Sequence, residues 1–217
     1  MKTRVVVDDP ESWFIPYASG LVNSLGQFGE SEELRNAEDL PVANDIAFLL
    51  SCKRKVPARL LSRSRHTVVV HASDLPMGKG MSPMTWQILE GRNVIPVTLF
   101  EAVEAIDAGP IYLKDSVQFR GVELLAELQA ALGAKIIEMC IRFAEDVQAL
   151  TARGEPQVGP ESRYIRRTPE DSRLDPNRTI AEQFDLLRVV DNERYPAFFD
   201  HRGRRYILRI EAAADDV

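Results

Sequence analysis

The sequence predicts an α/β fold in which a mostly parallel, Rossmann-like sheet carries flanking helices and a short C-terminal α+β hairpin tail follows. Three short runs of β-branched and apolar residues, at 3–7, 46–50 and 68–70, are typical of buried strands. A loop and a helix follow the first run, which is how such a sheet begins. A long helix at 122–150 presents one apolar stripe that can cover the sheet.

The first part of the chain alternates strands with helices. Two acids and a proline at 8–10 end the first strand, and the helix after them ends near Gln27. Residues 29–45 are polar and acidic, which predicts a solvated crossover with at most a weak strand. A short helix at 57–61 follows the strand at 46–50, because a proline opens it.

The middle of the chain predicts two further strands around a short helix. The strand at 68–70 stops at His71, and a loop rich in proline and glycine leads to a helix at 83–89. A second strand follows at 96–100. Residues 111–119 alternate loosely between apolar and polar side chains, as an edge strand or a hairpin arm does.

The last third of the chain predicts a tail that packs on the main domain. We therefore divide the chain into a Rossmann-like domain at 1–150 and a tail at 151–217, whose final seven residues, 211–217, are typical of a frayed end. The tail is expected to contain a linker, a helix and the two strands of a hairpin, at 151–160, 179–190, 197–201 and 204–210.

Composition narrows the class of function. The chain has 217 residues, a formal net charge of −6 and a sequence pI of about 5.2. An acidic balance argues against a general nucleic-acid binder, which would normally show a basic patch, but it leaves room for a small anionic ligand. No GxGxxG follows the first strand, so the sequence does not support NAD or FAD as a cofactor.

The number of cysteines and the hydropathy of the sequence indicate the cellular compartment in which the protein is expected. Cys52 and Cys140 are too few and too far apart for a disulfide framework or a zinc site, which favours a reducing cytoplasm and no metal. We see no signal peptide at the start of the sequence. No apolar run approaches the roughly 18 residues that a membrane span needs. We expect a cytoplasmic protein without a membrane partner.

Two polar residues stand out because each follows a predicted buried strand. His71 comes directly after the strand at 68–70, and Asp107 follows the strand at 96–100. In open α/β sheets, reacting groups gather in the crevice at the carboxyl ends of strands. Two interpretations remain open on these grounds: a loop histidine and a turn-capping aspartate, or a His–Asp pair in an acyl-transfer site.

The surrounding motif favours the second interpretation. The motif begins with HxSxLPxxxGxxP and continues with a helix, a strand containing TL and then DxGxI. This order resembles the signature of the folate-dependent formyltransferases. The stretch RRTPEDS at 166–172 is similar to the family as well. This family includes glycinamide ribonucleotide transformylase, methionyl-tRNA formyltransferase and the sugar N-formyltransferases. The matching residues are His71, Ser73, Leu75, Pro76, Gly80, Pro83, Thr98, Asp107, Gly109 and Ile111.

The resemblance implies a formyltransferase fold, with 1–150 as its catalytic domain, and transfer of a formyl group from N10-formyltetrahydrofolate to a primary amine. It implies that His71 stabilises the oxyanion and shuttles protons, while Asp107 favours charged His71 and relays a proton. It also places the folate beside two segments of the chain. Their residues are Lys53, Arg54, Lys55, Val56, Val103, Ile106 and Asp107. For 53–56, a basic solvated turn is the alternative.

One position departs from the family pattern. Most members carry Asn two residues before the histidine, where its amide binds the formyl oxygen, and here that residue is Val69. Losing one oxyanion donor can cost about 3 kcal/mol. Lys79 and Ser73 are our candidates for a replacement donor. Alternatively, Ser73 caps a turn and Lys79 binds a phosphate or carboxylate of the acceptor.

The stretch HASDLPMGKGMSPMTWQILEG is similar to formyltransferases of bacterial pseudaminic-acid and related surface-sugar pathways. The acceptor implied is an amino sugar, nucleotide-linked or of the nonulosonic-acid type. Candidate contacts to it are Ser12, Trp13, Tyr17, Lys79 and Arg166, with Arg163 and Arg167 completing a basic cluster. The plainer interpretations are that Trp13 packs the first helix on the sheet and that the arginines flank a surface loop.

Three other assignments stay open. A glycinamide ribonucleotide transformylase would carry the missing Asn, and a catalytically inactive folate-binding homologue would fit its loss. A methionyl-tRNA formyltransferase would be expected to add a basic C-terminal domain, and the acidic balance of this chain argues against tRNA. The C-terminal hairpin leaves a homodimer open as well.

Overall fold

The computed structural model describes residues 1–213, and each of the three apolar runs predicted as buried strands overlaps a strand of the structure. Among these residues, the strands in chain order are β1 Lys2–Val6, β2 Glu30–Leu34, β3 Asn44–Leu49, β4 Ser64–His71, β5 Lys79–Gly80, β6 Val94–Glu101, β7 Ile111–Gln118, β8 Arg163–Tyr164, β9 Ala197–His201 and β10 Arg204–Leu208. The weak strand expected in the acidic crossover is β2.

The helices lie between these strands and on the faces of the sheet. They are α1 Ile15–Leu25, α2 Ala58–Leu61, α3 Pro83–Leu89, α4 Leu125–Glu145, α5 Val147–Ala152 and α6 Phe184–Val189, with short 3-10 turns at Gly26–Phe28, Ala37–Asp39, Pro169–Ser172 and Ala181–Gln183. Helix α3 has the predicted bounds, because Pro83 opens it and Gly91 follows it with a positive φ of 82°.

The six-stranded sheet has the order β2-β1-β3-β4-β6-β7. The pairs β1–β2, β1–β3 and β3–β4 are parallel, whereas β4–β6 and β6–β7 are antiparallel. The strands β9 and β10 form a separate antiparallel hairpin. The predicted fold class, a mostly parallel sheet with flanking helices and a C-terminal hairpin, is confirmed.

Strand β6 runs antiparallel to β4, which the sequence did not predict. In the pairing of β4 with β6, Val68 faces Glu101 and His71 faces Thr98. The carboxyl end of β6 therefore lies roughly 10 Å from His71 along β4, at about 3.3 Å per residue. The expectation that two strand ends bring His71 and Asp107 to one edge was wrong, because the strand before Asp107 runs the other way.

Helices α1 and α4 cover one face of the sheet. The stripe predicted for α4 is buried, including Leu128, Ile136, Met139 and Phe143. Phe143 packs edge-on against Phe48 of β3, with ring centroids 6.2 Å apart. Cys140 lies in the same core.

The single helix predicted at 122–150 is wrong in two respects: it begins three residues later, at Leu125, and it is interrupted before residue 150. Asp146, with φ −133° and ψ 42°, leaves the helical region and separates α4 from α5. Aspartate is a weak helix former because its side chain competes for backbone hydrogen bonds. The predicted helix at 179–190 also begins later, since a 3-10 turn at Ala181–Gln183 precedes α6.

The tail returns to the main sheet through a buried arginine. Arg188 of α6 is fully buried, and its guanidinium donates to the Asn93 amide oxygen at 2.9 Å and to the Glu123 carbonyl at 3.1 Å. A short pairing of β8 with β5 adds a second connection. These contacts place residues 163–167 beside the loop that follows β4. The division at residue 150 stays a prediction.

Residues 214–217 of the predicted frayed end, 211–217, lie outside the described residues. Within 1–213, no helix combines the length and the apolar character that a bilayer crossing requires.

Candidate active site

A cavity of about 790 Å³ opens above the carboxyl ends of β3 and β4. Its walls come from the loop after β1, the segment after β3, the end of β4, the loop between β6 and β7, one face of α4 and the tail. These parts contribute Asp9 and residues 11–13, 49–56, 69–72, 80–85, 102–103 and 105–107, together with some residues of 125–136, 163–167 and 189–195. A cavity of this size accommodates a small-molecule ligand of several rings.

His71 is the last residue of β4 and lines the cavity. Its Nε2 atom lies 2.9 Å from the carbonyl oxygen of Gly78. A carbonyl oxygen only accepts, so Nε2 donates and carries the proton in this arrangement. The Nδ1 atom of the ring is thereby left to accept a proton or, when charged, to donate one.

Asp107 reaches the same cavity from the loop between β6 and β7. Its backbone is left-handed, with φ 52°, and its Oδ2 atom accepts a hydrogen bond from the backbone N–H of Gly80 at 2.9 Å. A Cβ on Gly80 would lie 2.3 Å from the carbonyl oxygen of Tyr164, so only glycine fits there. The backbone of 78–80 thus holds both the imidazole and the carboxylate. The structure brings His71 and Asp107 to one cavity. Asp107 reaches it through a loop that returns from the base of β6, and not from the end of a parallel strand.

The segment expected to border the folate also lines the cavity, with Lys53, Arg54, Lys55 and Val56. Two of its side chains are engaged with carboxylates of the loop after β1. The ammonium of Lys53 lies 2.6 Å from Asp9, and Arg54 Nε lies 3.4 Å from Asp8. Val103 and Ile106 line the opposite loop and are 40% and 50% exposed.

The Lys53 contact changes the acidity of its partner. Burial acts to raise the pKa of Asp9, but hydrogen bonds from the Lys53 ammonium and the Glu11 backbone outweigh it, so the pKa of Asp9 is lowered. Asp8 also accepts the backbone N–H of Lys53 at 2.9 Å. The acidic pair after β1 therefore fixes the segment after β3.

Cys52 also lines the cavity, and its thiol is protonated at neutral pH. Burial and the nearby Asp8 carboxylate raise the pKa of its thiol to about 12, so the thiol keeps its proton at neutral pH. Within 1–213, no three His, Cys, Asp or Glu side chains converge in a way that could hold a metal ion.

Of the residues expected to contact the acceptor, Ser12 and Trp13 line the cavity. Ser12 Oγ accepts the backbone N–H of Phe14, and the Trp13 ring packs edge-on against the Phe14 ring with centroids 5.6 Å apart. Trp13 thus packs α1 and also presents surface to the cavity. Tyr17 does not line the cavity, because its ring packs on Gly133 of α4.

Lys79 and Ser73, our candidates for a replacement oxyanion donor, do not line the cavity. Lys79 is 4% exposed, and its ammonium lies 2.5 Å from the carboxylate of Glu161. Ser73 is 1% exposed, and its hydroxyl has no hydrogen-bond partner among residues 1–213. Val69, which takes the place of the family's Asn, does line the cavity. The expectation that Lys79 or Ser73 supplies the missing donor is corrected.

Several polar cavity residues were missed in the sequence. Gln129 lines the cavity from α4, between the apolar Leu125 and Leu132, and Ser82 and Thr85 line it from the start of α3. A polar residue inside an otherwise apolar helical stripe was the signal for Gln129. Trp86, by contrast, lies outside the cavity and donates its indole N–H to the carbonyl of Ile165.

Arginines of the tail form one wall of the cavity. Arg163, Arg166, Arg167 and Arg194 line it, and Arg194 donates to the Glu11 carbonyl at 3.1 Å. Arg167 donates to the carbonyl of Val189, while its Nε is buried without a partner among residues 1–213. Burial lowers the pKa of this guanidinium.

The charge of the cavity differs from that of the chain. Seven Lys and Arg side chains and four Asp and Glu side chains line the cavity, in a chain whose net charge is −6. Within 1–213, Arg163 and Arg166 make no ion pair with a carboxylate. The cavity is therefore a positive region that favours an anionic ligand.

The sequence model of a family described as Formyl transferase matches residues 26–135, about half of the chain. The chain belongs to the formyl transferase family. The match includes His71, Asp107 and the connecting segment 78–80 that holds them. The family predicted from the motif is confirmed.

Among curated relatives in this family, the methionyl-tRNA formyltransferase of Lachnospira eligens is 27% identical over 157 residues, which cover 71% of this chain and 50% of the relative. The chain thus spans about half the length of the curated relatives it matches.

Two solved structures show the same fold. The methionyl-tRNA formyltransferase from Clostridium thermocellum aligns with a TM-score of 0.78 at 20% identity, covering 100% of this chain and 96% of that chain. A 4-N formyltransferase from Francisella tularensis aligns with a TM-score of 0.71 at 19% identity, covering 98% of each chain. At these identities the likeness concerns the fold alone.

Proposed function

We propose that this protein is an enzyme that transfers a formyl group from N10-formyltetrahydrofolate to the primary amine of an amino sugar. One observation carries the proposal: His71 and Asp107 line one cavity of about 790 Å³ and are both hydrogen-bonded to the backbone of 78–80. Membership of the formyl transferase family supports the class of reaction.

The reaction requires the site to stabilise an oxyanion, to accept a proton from the attacking amine and to donate a proton to the leaving nitrogen. The neutral amine attacks the formyl carbon, the carbonyl electron pair moves to oxygen, and that oxyanion needs a hydrogen-bond donor. Charged His71 supplies it, while its Nε2 stays bonded to Gly78. The attacking nitrogen loses its proton to Asp107, through a water, and N10 gains one from His71 as its bond to carbon breaks. The products are a formamide and tetrahydrofolate.

Val69 makes His71 more important than it would be beside an amide donor. An oxyanion donor is worth about 3 kcal/mol, and neither Lys79 nor Ser73 reaches the cavity to replace it. Stabilisation of the developing charge therefore falls mainly on the imidazole.

The folate would lie between segment 53–56 and the loop that carries Val103 and Ile106. These two apolar side chains are 40% and 50% exposed at the cavity wall, and a bound pterin would cover them. Burial of apolar area contributes about 25 cal/mol per Å². Because Lys53 and Arg54 are paired with Asp9 and Asp8, this segment would meet the pterin mainly through its backbone.

The acceptor would occupy the part of the cavity walled by Ser12, Trp13 and the tail arginines. Arg163 and Arg166, free of ion pairs within 1–213, suit a phosphate or carboxylate on the sugar. This charge fits a nucleotide-linked amino sugar or an acidic nonulosonic-type sugar. Two free cysteines suit a reducing compartment such as the cytoplasm.

A second candidate has its own support. The curated relative from Lachnospira eligens is a methionyl-tRNA formyltransferase, and the same chemistry on an aminoacyl amine would use the same His71 and Asp107. The positive cavity wall suits a tRNA end as well as a sugar phosphate. An acidic chain is poorly suited to a long phosphate backbone.

An acceptor panel tests the proposal. The purified protein is mixed with N10-formyltetrahydrofolate and an amino-sugar nucleotide, an acidic amino sugar, glycinamide ribonucleotide or methionyl-tRNA, and tetrahydrofolate formation is followed. We expect turnover with an amino sugar that is lost in His71→Ala and kept in His201→Ala, an exposed histidine of the hairpin.

The other outcomes of the panel contradict the proposal in different ways. Turnover with methionyl-tRNA alone selects the second candidate. Release of tetrahydrofolate without any amine indicates hydrolysis of the donor. Folate binding without turnover on any acceptor identifies an inactive homologue.

A further inference from the structure

The loop at 102–110 carries Asp107 to the cavity from a distant base. It leaves β6 after Glu101 and enters β7 at Ile111, and Glu101 faces Val68 in the sheet. Because Val68 precedes His71 by three residues, the base lies roughly 10 Å from the imidazole along β4. Asp107 reaches the cavity only because the loop turns back along the sheet. The direction in which the loop leaves its base therefore decides where Asp107 lies.

Glu101 connects three strands at this base. One carboxylate oxygen accepts the backbone N–H of Thr67 in β4 at 2.7 Å, and the other accepts the Tyr112 hydroxyl of β7 at 2.8 Å. His66 Nδ1 lies 3.4 Å from that second oxygen. Hydrogen bonds to an ionised acceptor are roughly twice as strong as neutral ones. Burial and this carboxylate raise the pKa of the Tyr112 hydroxyl, which therefore remains a donor.

The two ends of the loop are in contact beside Glu101. The Glu101 backbone N–H donates to the Pro110 carbonyl at 2.9 Å, and the Ala102 N–H donates to the Thr67 carbonyl at 2.6 Å. A Cβ on Gly109 would lie 1.8 Å from the Glu101 carbonyl oxygen, so the returning chain passes directly against Glu101. Both ends of the 102–110 loop are therefore held by hydrogen bonds at its base. Glu101 takes part in this base through its side chain as well as through its backbone.

We propose that Glu101 is a positioning residue for Asp107, acting through the base of the 102–110 loop. The proposal rests on the proposed function, because it assigns Asp107 a part in formyl transfer. Glu101 does not line the cavity. It fixes the exit direction of the loop, and the Asp107–Gly80 hydrogen bond forms at the far end.

The test compares Glu101→Ala with Glu101→Gln. A glutamine can accept the Thr67 N–H through its oxygen and donate to the Tyr112 hydroxyl through its NH₂, whereas alanine loses both contacts. Glu104→Gln, on the exposed part of the same loop, is the matched control. The readouts are kcat and KM with the acceptor found by the panel, and amide hydrogen exchange at Gly80 measured by NMR.

Glu101→Ala is expected to speed amide exchange at Gly80. It is also expected to lower kcat by about tenfold to a hundredfold, because misplacing a reacting group by about 1 Å has an effect of this size. The folate KM is expected to change less than about threefold. Glu101→Gln and Glu104→Gln are expected to behave like the unmodified chain. The split of kcat from KM, and rescue by glutamine, separate positioning from general loss of structure.

The proposal is overturned if folded Glu101→Ala keeps both Gly80 exchange and kcat, or if Glu101→Gln loses activity with Gly80 exchange unchanged, which would assign the effect to charge. Should Glu101→Ala fail to fold, Tyr112→Phe removes one of the same contacts and faces the same criteria. If the unmodified chain shows no turnover, the proposed function fails, and exchange at Gly80 alone still decides whether Glu101 positions Asp107.

Discussion

At the scale of single residues, the candidate site depends on backbone atoms as much as on side chains. Gly78 accepts from His71 and Gly80 donates to Asp107, so one short segment sets the orientation of both groups. Two nearby side chains with reactive groups, Lys79 and Cys52, do not offer those groups to the cavity in a reactive form. Lys79 is paired with Glu161, and Cys52 keeps its proton.

The protonated state of Cys52 predicts slow alkylation. Because burial raises the pKa of this thiol to about 12, very little thiolate exists at pH 8, and Cys140 is fully buried. We expect iodoacetamide at pH 8 to modify both cysteines rapidly in denaturant and neither at a comparable rate in the folded protein. Mass spectrometry of the two cysteine peptides measures this. Rapid labelling of Cys52 in the folded protein would contradict the structure of the segment after β3.

At the scale of elements, the antiparallel direction of β6 determines how Asp107 reaches the site. A parallel strand would end beside His71, whereas β6 ends at the base of a loop that must return to the cavity. The return places apolar Val103 and Ile106 at the cavity wall and Asp107 in a left-handed conformation. The loop therefore forms both a wall of the cavity and the support for the Asp107 carboxylate.

Gly109 is the point where this loop tolerates least change. In Gly109→Ala the new Cβ would lie 1.8 Å from the Glu101 carbonyl, so the backbone must move. We expect a loss of about 1–3 kcal/mol in the free energy of unfolding, as for other overpacked sites, together with reduced kcat. Gly20→Ala in α1 is the control, since nothing lies within 4 Å of its Cβ and alanine favours a helix. Urea unfolding measures both variants, and an unchanged Gly109→Ala protein would contradict the tight base.

Local signals made most elements predictable from the sequence. The bounds of α3 follow from Pro83 and Gly91, and the buried stripe of α4 follows from its periodicity. The pairing direction of β6 was not predictable, because a run of apolar residues is the same for a parallel and an antiparallel strand.

The site itself was predictable only in part. The motif identified His71 and Asp107, but the roles suggested for Lys79 and Ser73 failed, because Lys79 is paired with a distant residue and Ser73 is buried away from the cavity. The partner of Lys79, Glu161, is 82 residues away along the chain. Such a contact leaves no local trace in the sequence, and the same holds for the packing of Tyr17 on Gly133.

At the scale of the whole molecule, an acidic chain encloses a positive cavity. Charges of the first loop and the tail meet across the cavity, where Arg194 contacts Glu11. Arg163 and Arg166 remain without a carboxylate partner within 1–213, which favours an anionic acceptor and association that weakens with salt. A homodimer through the C-terminal hairpin stays a prediction.

Arg166→Ala tests the role of this wall. Removing a charged hydrogen-bond donor to an anionic acceptor costs about 1.5–3 kcal/mol, so we expect the acceptor KM to rise at least tenfold while the folate KM stays unchanged. Arg153→Ala, an exposed arginine at the end of α5, is the matched control. Steady-state kinetics with each substrate varied separately measures the two constants. Equal effects of both variants would remove Arg166 from the acceptor site.

We propose that His71 and Asp107 act as a unit on one formyl group. A double-mutant cycle on kcat, using His71→Ala, Asp107→Asn and the double variant, tests this coupling. General acid–base groups contribute about 10²–10⁴-fold each, and groups that act together are strongly non-additive. We predict that the double variant is about as slow as the slower single variant. Losses that multiply in the double variant would show that the two groups act independently and would contradict a shared reaction centre.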